Sequence, residues 1–375
     1  MRPFLDDAGV IQRVLDHIEH RTTDRGDEVW REPVANYSCA DRYRRECDLL
    51  RSTWVPYCPT AALAKTGDYV ARDAAGTPLL AVRDGEGRSR VFRNACRHRG
   101  MALATGDGCT KGFVCRYHGW TYHLDGRLRH VPNEDGFPGL EKDAHGLMPV
   151  AAVEKLGLVW VNQAADATSP QDEADVGDDL PELVTSEQTI MGHHTLEVEA
   201  NWKVFLESFL EGYHIRSTHP KTFYPYGFDN LNLAETSGPH SRITFPFRRI
   251  KKLADVPPAE WRAKGFVTFV YHVFPNVLIS ILSRHSVMVV LEPLAIDRTR
   301  MESFVLSDHG DDPEALEASR RDVEFVSMTG AVEDREVVAA IQRGMTSGGN
   351  EHFTFGQFEG LIAHFHRQLD AALSR

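Results

Sequence analysis

The spacing of apolar residues divides this chain into segments of different character. Residues 8–22 carry apolar side chains at helical intervals, and residues 41–54 predict a second helix, polar on most sides. From Asp68 the pattern shortens to strands broken by turns: DYVARD, TPLLAVRD, the turn Gly85-Glu86-Gly87, then SRVFRNA. This all-β character runs to about Val161 and ends on the strand LGLVWVN, with a hairpin turn expected at Leu124–Arg127. After residue 187, HTLEVEANW predicts a strand that enters a helix at Asn201. Residues 266–294 predict successive buried antiparallel strands. Helical spacing returns at 312–327 and 332–345 and in an amphipathic terminal helix that begins FGQFEGL. The expected class is α+β: an N-terminal all-β domain and a C-terminal domain with an antiparallel sheet surrounded by helices.

Length supports that division, since 375 residues suit two domains. The net charge is −12, and no basic stripe exists to neutralise phosphates, so a nucleic-acid partner is not expected. Residues 164–187 hold eight acidic residues and no basic ones, which predicts a solvated linker between the domains. No apolar run is long enough to span a bilayer, and the charged N-terminus does not resemble a secretory signal. The six cysteines are therefore read as thiols in a reducing cytoplasm, not as a disulfide framework. No G-x-G-x-x-G follows a strand and opens a helix, so no flavin or nicotinamide domain is evident.

Two constellations carry chemistry. The stretch NWKVFLESFLEGYHIRSTHP, Asn201–Pro220, contains E-x2-H-x4-H. On one continuous helix Glu207, Glu211 and His214 would share a face, with His219 just beyond. Two imidazoles and a carboxylate, with coordination positions left open, form the ligand set of a mononuclear non-haem Fe(II) site. A surface helix with scattered charges is the plainer alternative. Upstream, Cys96, His98, Cys115 and His118 stand in the spacing C-x-H-x16-C-x2-H on two loops of the β segment. Zinc sites more often pair Cys with Cys across two to four residues. One thiolate and one imidazole per loop suits a Rieske [2Fe–2S] centre, whose two cysteines hold one iron and two histidines the other. Zinc remains the competing reading.

CRHRG, CRYHGW, the NWK…E…E-x-YH…HP run and the later EDREVVAAIQRG occur in the order found in one family. The chain resembles the oxygenase (α) subunits of Rieske non-haem iron oxygenases over roughly residues 40–370. Within that ring-hydroxylating family it is closer to the choline, glycine-betaine and carnitine oxygenase branch. The resemblance implies residues 1–44 as a helical segment packing on the catalytic domain, 45–163 as the Rieske domain, 164–187 as the acidic linker and 188–375 as the catalytic domain. It implies His214 and His219 as iron ligands with Asp334 as the third, Glu333 being the adjacent competitor. Glu211 then becomes a carboxylate that links the iron-site histidine of one subunit to a cluster histidine of its neighbour. Ring-attacking relatives mostly carry Asp there, so Glu weakens the expectation of an aromatic dioxygenase. Met101 and Tyr117 stand where membrane-complex Rieske proteins carry two extra cysteines, which favours the oxygenase type.

The implied activity is a terminal oxygenase that uses O2 to hydroxylate, dihydroxylate or demethylate a small organic substrate at Fe(II). Electrons come from NAD(P)H only indirectly, through a flavin and iron–sulfur reductase or a ferredoxin. Head-to-tail subunits, as a homotrimer, would carry them between chains. The alternative is a Rieske electron carrier or a zinc-stabilised binding module, which would not need the second metal set. By position, Glu207, Ser208, Ile215 and Asn276 are expected to face the substrate, with the Phe-rich strand 266–274 as apolar wall. Arg93, Arg97, Arg99, Lys111 and Arg116 around the cluster motif are the expected docking face for an acidic redox partner.

Overall fold

The computed structural model describes residues 4–167, 176–185, 188–308, 312–327 and 331–374. The chain forms two compact units. One comprises Leu50–Asp178 and Glu182–Ile190; the other gathers Met1–Leu49, Asp179–Pro181 and Met191–Arg375.

The first of these units is built on a seven-stranded antiparallel sheet. Its spatial order is Val55–Pro59, Leu158–Asn162, Pro149–Lys155, Ser89–Arg93, Thr77–Arg83, Asp68–Ala74, Gly106–Cys109. The expected turn at Gly85–Gly87 is held by Asp84, whose Oδ1 accepts from the backbone N–H of Glu86 at 2.8 Å and of Arg88 at 2.9 Å. A smaller sheet of Phe113–Val114, Thr121–Tyr122 and Leu128–His130 lies beside it in sequence and carries the expected hairpin. Leu80, Phe92, Leu103, Phe113, Trp120, Tyr122 and Leu128 form one core together with Cys96 and Cys115.

The acidic stretch departs from the expectation of a solvated linker. Residues 168–175 and 186–187 of it lie outside the described residues. In the remainder Val176, Leu180, Leu183 and Val184 are buried. The carbonyl oxygen of Val184 lies 1.6 Å from where a Cβ on Gly157 would be, so only glycine allows that approach. Charge density across the window masked a short apolar pattern that packs.

The other unit holds a second seven-stranded sheet, ordered Thr189–Val198, Arg298–Ser307, His285–Ala295, Val277–Ile281, Val267–Val273, His240–Pro246, Leu233–Ser237. Its helices are α1 (Asp7–His20), α2 (Ala35–Ser38), α3 (Ala40–Ser52), α4 (Trp202–Glu207), α5 (Ile215–Thr218), α6 (Pro313–Phe325), α7 (Ala331–Met345) and α8 (Gly360–Leu373). Side chains alternate across a strand, so each sheet face has its own core. Ile243, Val270, Leu278, Val289 and Met301 pack with Trp202 and Phe205 of α4, Val338 of α7 and Phe365 of α8. Leu233 and Val267 instead join Val10, Ile11 and Val14 of α1, together with Ile250 and Trp261.

Charged residues inside α3 find partners, which explains a helix that reads as polar on most sides. Glu46 is fully buried and accepts from Arg42 at 3.0 Å, Lys203 at 2.7 Å and the Trp202 indole at 3.0 Å. A carboxylate and an ammonium at such depth are tolerable only as a hydrogen-bonded set, because desolvating either alone costs several kcal/mol.

Candidate metal centres

The four residues of the upstream motif come together on two loops of the same construction. In the first, Gly100 N–H donates to Cys96 C=O and Cys96 N–H to Met101 C=O; in the second, Gly119 donates to Cys115 and Cys115 to Trp120, all at 2.8–2.9 Å. Both glycines have φ of +76°, the left-handed conformation that closes the loop. Cys96 and Cys115 are buried, whereas His98 is half-buried and His118 exposed. The two imidazoles meet edge to face with centroids 4.7 Å apart, and His98 stacks on Trp120 at 5.1 Å. Tyr122 Oη lies 3.3 Å from Cys96 Sγ and accepts from the Arg97 N–H at 2.9 Å. Burial pushes the Cys96 thiol pKa up, against the opposing hydrogen bond from Tyr122. Two thiols on the inside and two imidazoles on the outside are the donor set of a Rieske cluster.

The expected basic face is only partly available. Arg93 turns inward, donating to Gln163 Oε1 at 2.7 Å, and Arg97 is half-buried with a contact to Gly146 C=O at 3.3 Å. Arg99, which donates to Tyr117 Oη at 2.8 Å, is exposed, as are Lys111 and Arg116. Cys39 and Cys109 are exposed thiols; Cys47 and Cys58 are buried ones.

At the second constellation the expected single helix does not form. Asn201 caps α4, its Oδ1 accepting from Lys203 N–H at 3.0 Å, but the helix ends at Glu207. The chain then turns through Ser208–Tyr213 before α5 begins at Ile215. Gly212 lets the Asn232 side chain approach closely: a Cβ there would lie 2.5 Å from Asn232 Oδ1. Glu211 and His214 are therefore joined by a capped turn and not by a shared helix face. Glu211 Oε2 accepts from the Tyr213 N–H and, at 3.1 Å, from the His214 N–H. Its Oε1 sits 2.5 Å from His214 Nδ1.

His214, His219 and Asp334 form a group whose candidate ligand atoms all lie within 4.8 Å of one another. Asp334 Oδ1 is 3.7 Å from His214 Nε2 and 2.9 Å from His219 Nε2. His219 Nε2 is buried and makes no hydrogen bond despite that closeness. An orphaned imidazole nitrogen facing a carboxylate and a second imidazole fits a metal ion as the shared partner. Each ring's other nitrogen meets a different acid: Glu211 for His214, and Glu333 for His219 at 2.7 Å. Glu333 thus lies on the far edge of the ring from Asp334. Burial alone would lower both imidazole pKa values. For His214 it is outweighed by the Glu211 hydrogen bond and charge, and for His219 by Asp334, so both are raised. A neighbourhood this negative also favours a dication.

The polar residues expected around the substrate have hydrogen-bond partners of their own. Glu207 is not one of the three residues whose ligand atoms converge. Its Oε1 accepts from Tyr37 Oη at 2.6 Å and lies 2.8 Å from His366 Nε2, in a buried network with Glu32. Ser208 Oγ donates to Phe205 C=O at 2.8 Å, and Asn276 Nδ2 to Leu291 C=O at 2.9 Å. Ile215 is half-buried at the start of α5. Phe269 packs on the α1 side of the sheet and Phe274 on the other. One aromatic residue outside the expected set stands beside the metal group. Phe223 lies 4.8 Å from the His219 ring; Phe325 follows at 6.2 Å from Phe223, and Tyr226 at 6.1 Å from Phe325. Glu359 is a further omission. Burial, with Glu211 and Glu207 nearby, raises its carboxyl pKa to about 7. Only Phe223, four residues after His219, carried a positional signal.

Among the described residues no helix is long and apolar enough to cross a membrane. Residues 186–375 match the family described as ring hydroxylating alpha subunit (catalytic domain), and residues 53–144 match the Rieske [2Fe–2S] domain. The carnitine monooxygenase oxygenase subunit of Escherichia coli K12 is 26% identical over 365 residues, covering 91% of this chain and 93% of its own. Biphenyl 2,3-dioxygenase subunit alpha of Rhodococcus jostii RHA1 is 31% identical over 215 residues, 54% of this chain and 46% of its own. In fold, a crystal structure of the quaternary ammonium Rieske monooxygenase CntA with an inhibitor aligns with TM-score 0.77 and 21% identity, covering 92% of this chain and 96% of that one. The chain belongs to the ring-hydroxylating α-subunit family and is the terminal oxygenase of a Rieske non-haem iron system, whose cofactors are a [2Fe–2S] cluster and a mononuclear iron and whose oxidant is O2.

Proposed function

We propose that His214, His219 and Asp334 hold the mononuclear iron, that Cys96, His98, Cys115 and His118 hold the cluster, and that the substrate is a small quaternary amine. One observation carries the iron assignment: two Nε2 atoms and Asp334 Oδ1 converge while each Nδ1 is occupied by a different carboxylate. When bound, the iron supplies oxygen activation, with electrons arriving through the cluster. The chain's own contribution is placement. Glu211 holds His214 by its Nδ1 edge and keeps the loop closed through two backbone N–H groups. Phe223 offers an aromatic face beside His219, a surface suited to an alkylammonium group through cation–π attraction. Similarity over nearly the whole length to carnitine monooxygenase oxygenase subunits supports the same substrate class.

Electron supply in this reading comes from a separate flavin and iron–sulfur reductase or ferredoxin, docking near the exposed Arg99, Lys111 and Arg116. Glu211 connects His118 of one chain to His214 of the next within a head-to-tail homotrimer in the cytoplasm. An electron carrier has no use for the His214, His219 and Asp334 group. The test is oxygen uptake and product analysis with a reductase across quaternary amines, aromatic acids and aromatic amines. Uptake coupled to product with quaternary amines is expected. Coupled turnover of the aromatic compounds alone would reverse the substrate assignment, and fewer than three irons per chain would remove the iron assignment.

A further inference from the structure

A histidine that binds a metal through one nitrogen must carry its proton on the other, and that N–H needs an acceptor to set the ring's orientation. In His219 the two nitrogens meet two consecutive residues of α7. Glu333 Oε2 lies 2.7 Å from Nδ1, and Asp334 Oδ1 lies 2.9 Å from Nε2. Successive residues on a helix point about 100° apart, so neighbouring carboxylates reach opposite edges of an imidazole inserted between them. Glu333 is itself held, because the same Oε2 accepts from Thr222 Oγ1 at 2.7 Å. The His219 ring is almost completely buried, while the Glu333 side chain is 32% exposed. We propose that Glu333 is a positioning residue for the mononuclear iron: it takes the Nδ1–H of His219 and so presents the bare Nε2 to the metal.

This rests on the iron reading above and extends it to a residue whose sequence position alone makes it a competing ligand. It also separates two acids with similar contacts. Glu211 holds His214 and is assigned to the electron path; Glu333 holds the other histidine and is not. A purely structural reading exists, since an acid in the first turn of a helix is favoured by the helix dipole. That reading predicts a change in thermal stability and none in metal binding.

The experiment uses the full chain with its cluster intact, after a chelator has removed the mononuclear iron. Chelator-buffered Fe(II) is titrated back, and iron above the cluster's two atoms is counted per chain. Wild type, Glu333→Gln, Glu333→Ala, Thr222→Val and Asp334→Ala are compared, with the cluster spectrum and Tm as controls. Glu333→Ala should bind Fe(II) about 10–100-fold more weakly. Glu333→Gln should fall between it and wild type, because the amide oxygen still accepts the Nδ1–H. Thr222→Val, which removes one anchor of the carboxylate, should weaken binding less than Glu333→Ala does. Asp334→Ala should not retain the metal. Wild-type affinity in Glu333→Ala would overturn the proposal in favour of the helix-dipole role. Loss as complete as in Asp334→Ala by both Glu333 variants would make Glu333 a ligand. A wild-type chain that takes up no iron beyond its cluster would instead sink the iron reading, and that result appears before any variant is compared.

Discussion

The two candidate metal regions are built on opposite plans. The proposed cluster residues lie on two copies of one local loop, each closed by the same pair of backbone hydrogen bonds and a glycine at the same φ. The proposed iron residues come from the two ends of the short helix α5, with His214 just before it and His219 just after, and from the first turn of α7, more than a hundred positions away. In the first region each loop's short-range contacts prearrange its donors. In the second, nothing local brings Asp334 to His219; the packing of α7 does. A locally organised site tolerates change elsewhere, whereas a site assembled from distant segments depends on acids that aim each ring.

The largest expected effects would test whether the regions are independent. His214→Ala, His219→Ala or Asp334→Ala should abolish product formation and mononuclear iron while leaving the cluster's absorption and reduced electron resonance intact. Cys96→Ala or His118→Ala should remove the cluster signal. Loss of both metals from a single change, in a folded chain, would show that one region supports the other. Next comes the proposed link between them. Glu211→Gln should retain both metals and accept electrons into the cluster, yet turnover should fall roughly 100-fold. Single turnover of pre-reduced enzyme at the wild-type rate would reject the relay.

A smaller effect would sharpen the likeness of the two cluster loops. Alanine at a left-handed position costs about 1–2 kcal/mol through backbone strain alone. Gly100 has open space around its missing Cβ, whereas a Cβ on Gly119 would lie 2.9 Å from Pro132 Cγ. Gly119→Ala should therefore lower Tm and cluster retention more than Gly100→Ala. Equal losses would mean that the Pro132 contact yields easily.

The smallest effect concerns acid stability in the catalytic unit. Burial lowers the pKa of His272 to about 3 and that of His240 to about 4, against 6.5 when exposed. Below pH 6.5 the unfolded chain binds these protons and the folded chain does not, so stability is present above that pH and declines as pH falls toward 4. Denaturant titrations between pH 7 and 4.5 should show this decline, and His272→Gln should flatten it. An unchanged slope in that variant would place the acid sensitivity elsewhere.

What the sequence determined by itself was the chemistry of the donors. C-x-H-x16-C-x2-H and E-x2-H-x4-H bring scarce residue types together at spacings that chance rarely supplies, and the strand patterns before Val161 and after residue 266 specify two β frameworks. Such information is short-range, because side-chain period and turn chemistry are set by neighbours in the chain. Tertiary structure decided which edge of each imidazole meets which carboxylate. It set Glu333 and Asp334 on opposite sides of His219, broke the expected helix after Glu207, and drew Glu207 into a network with Tyr37 and His366. These outcomes depend on how α7 and α8 approach α4 across the sheet. That approach is fixed by the sum of many apolar contacts, none of which has a sequence signature of its own.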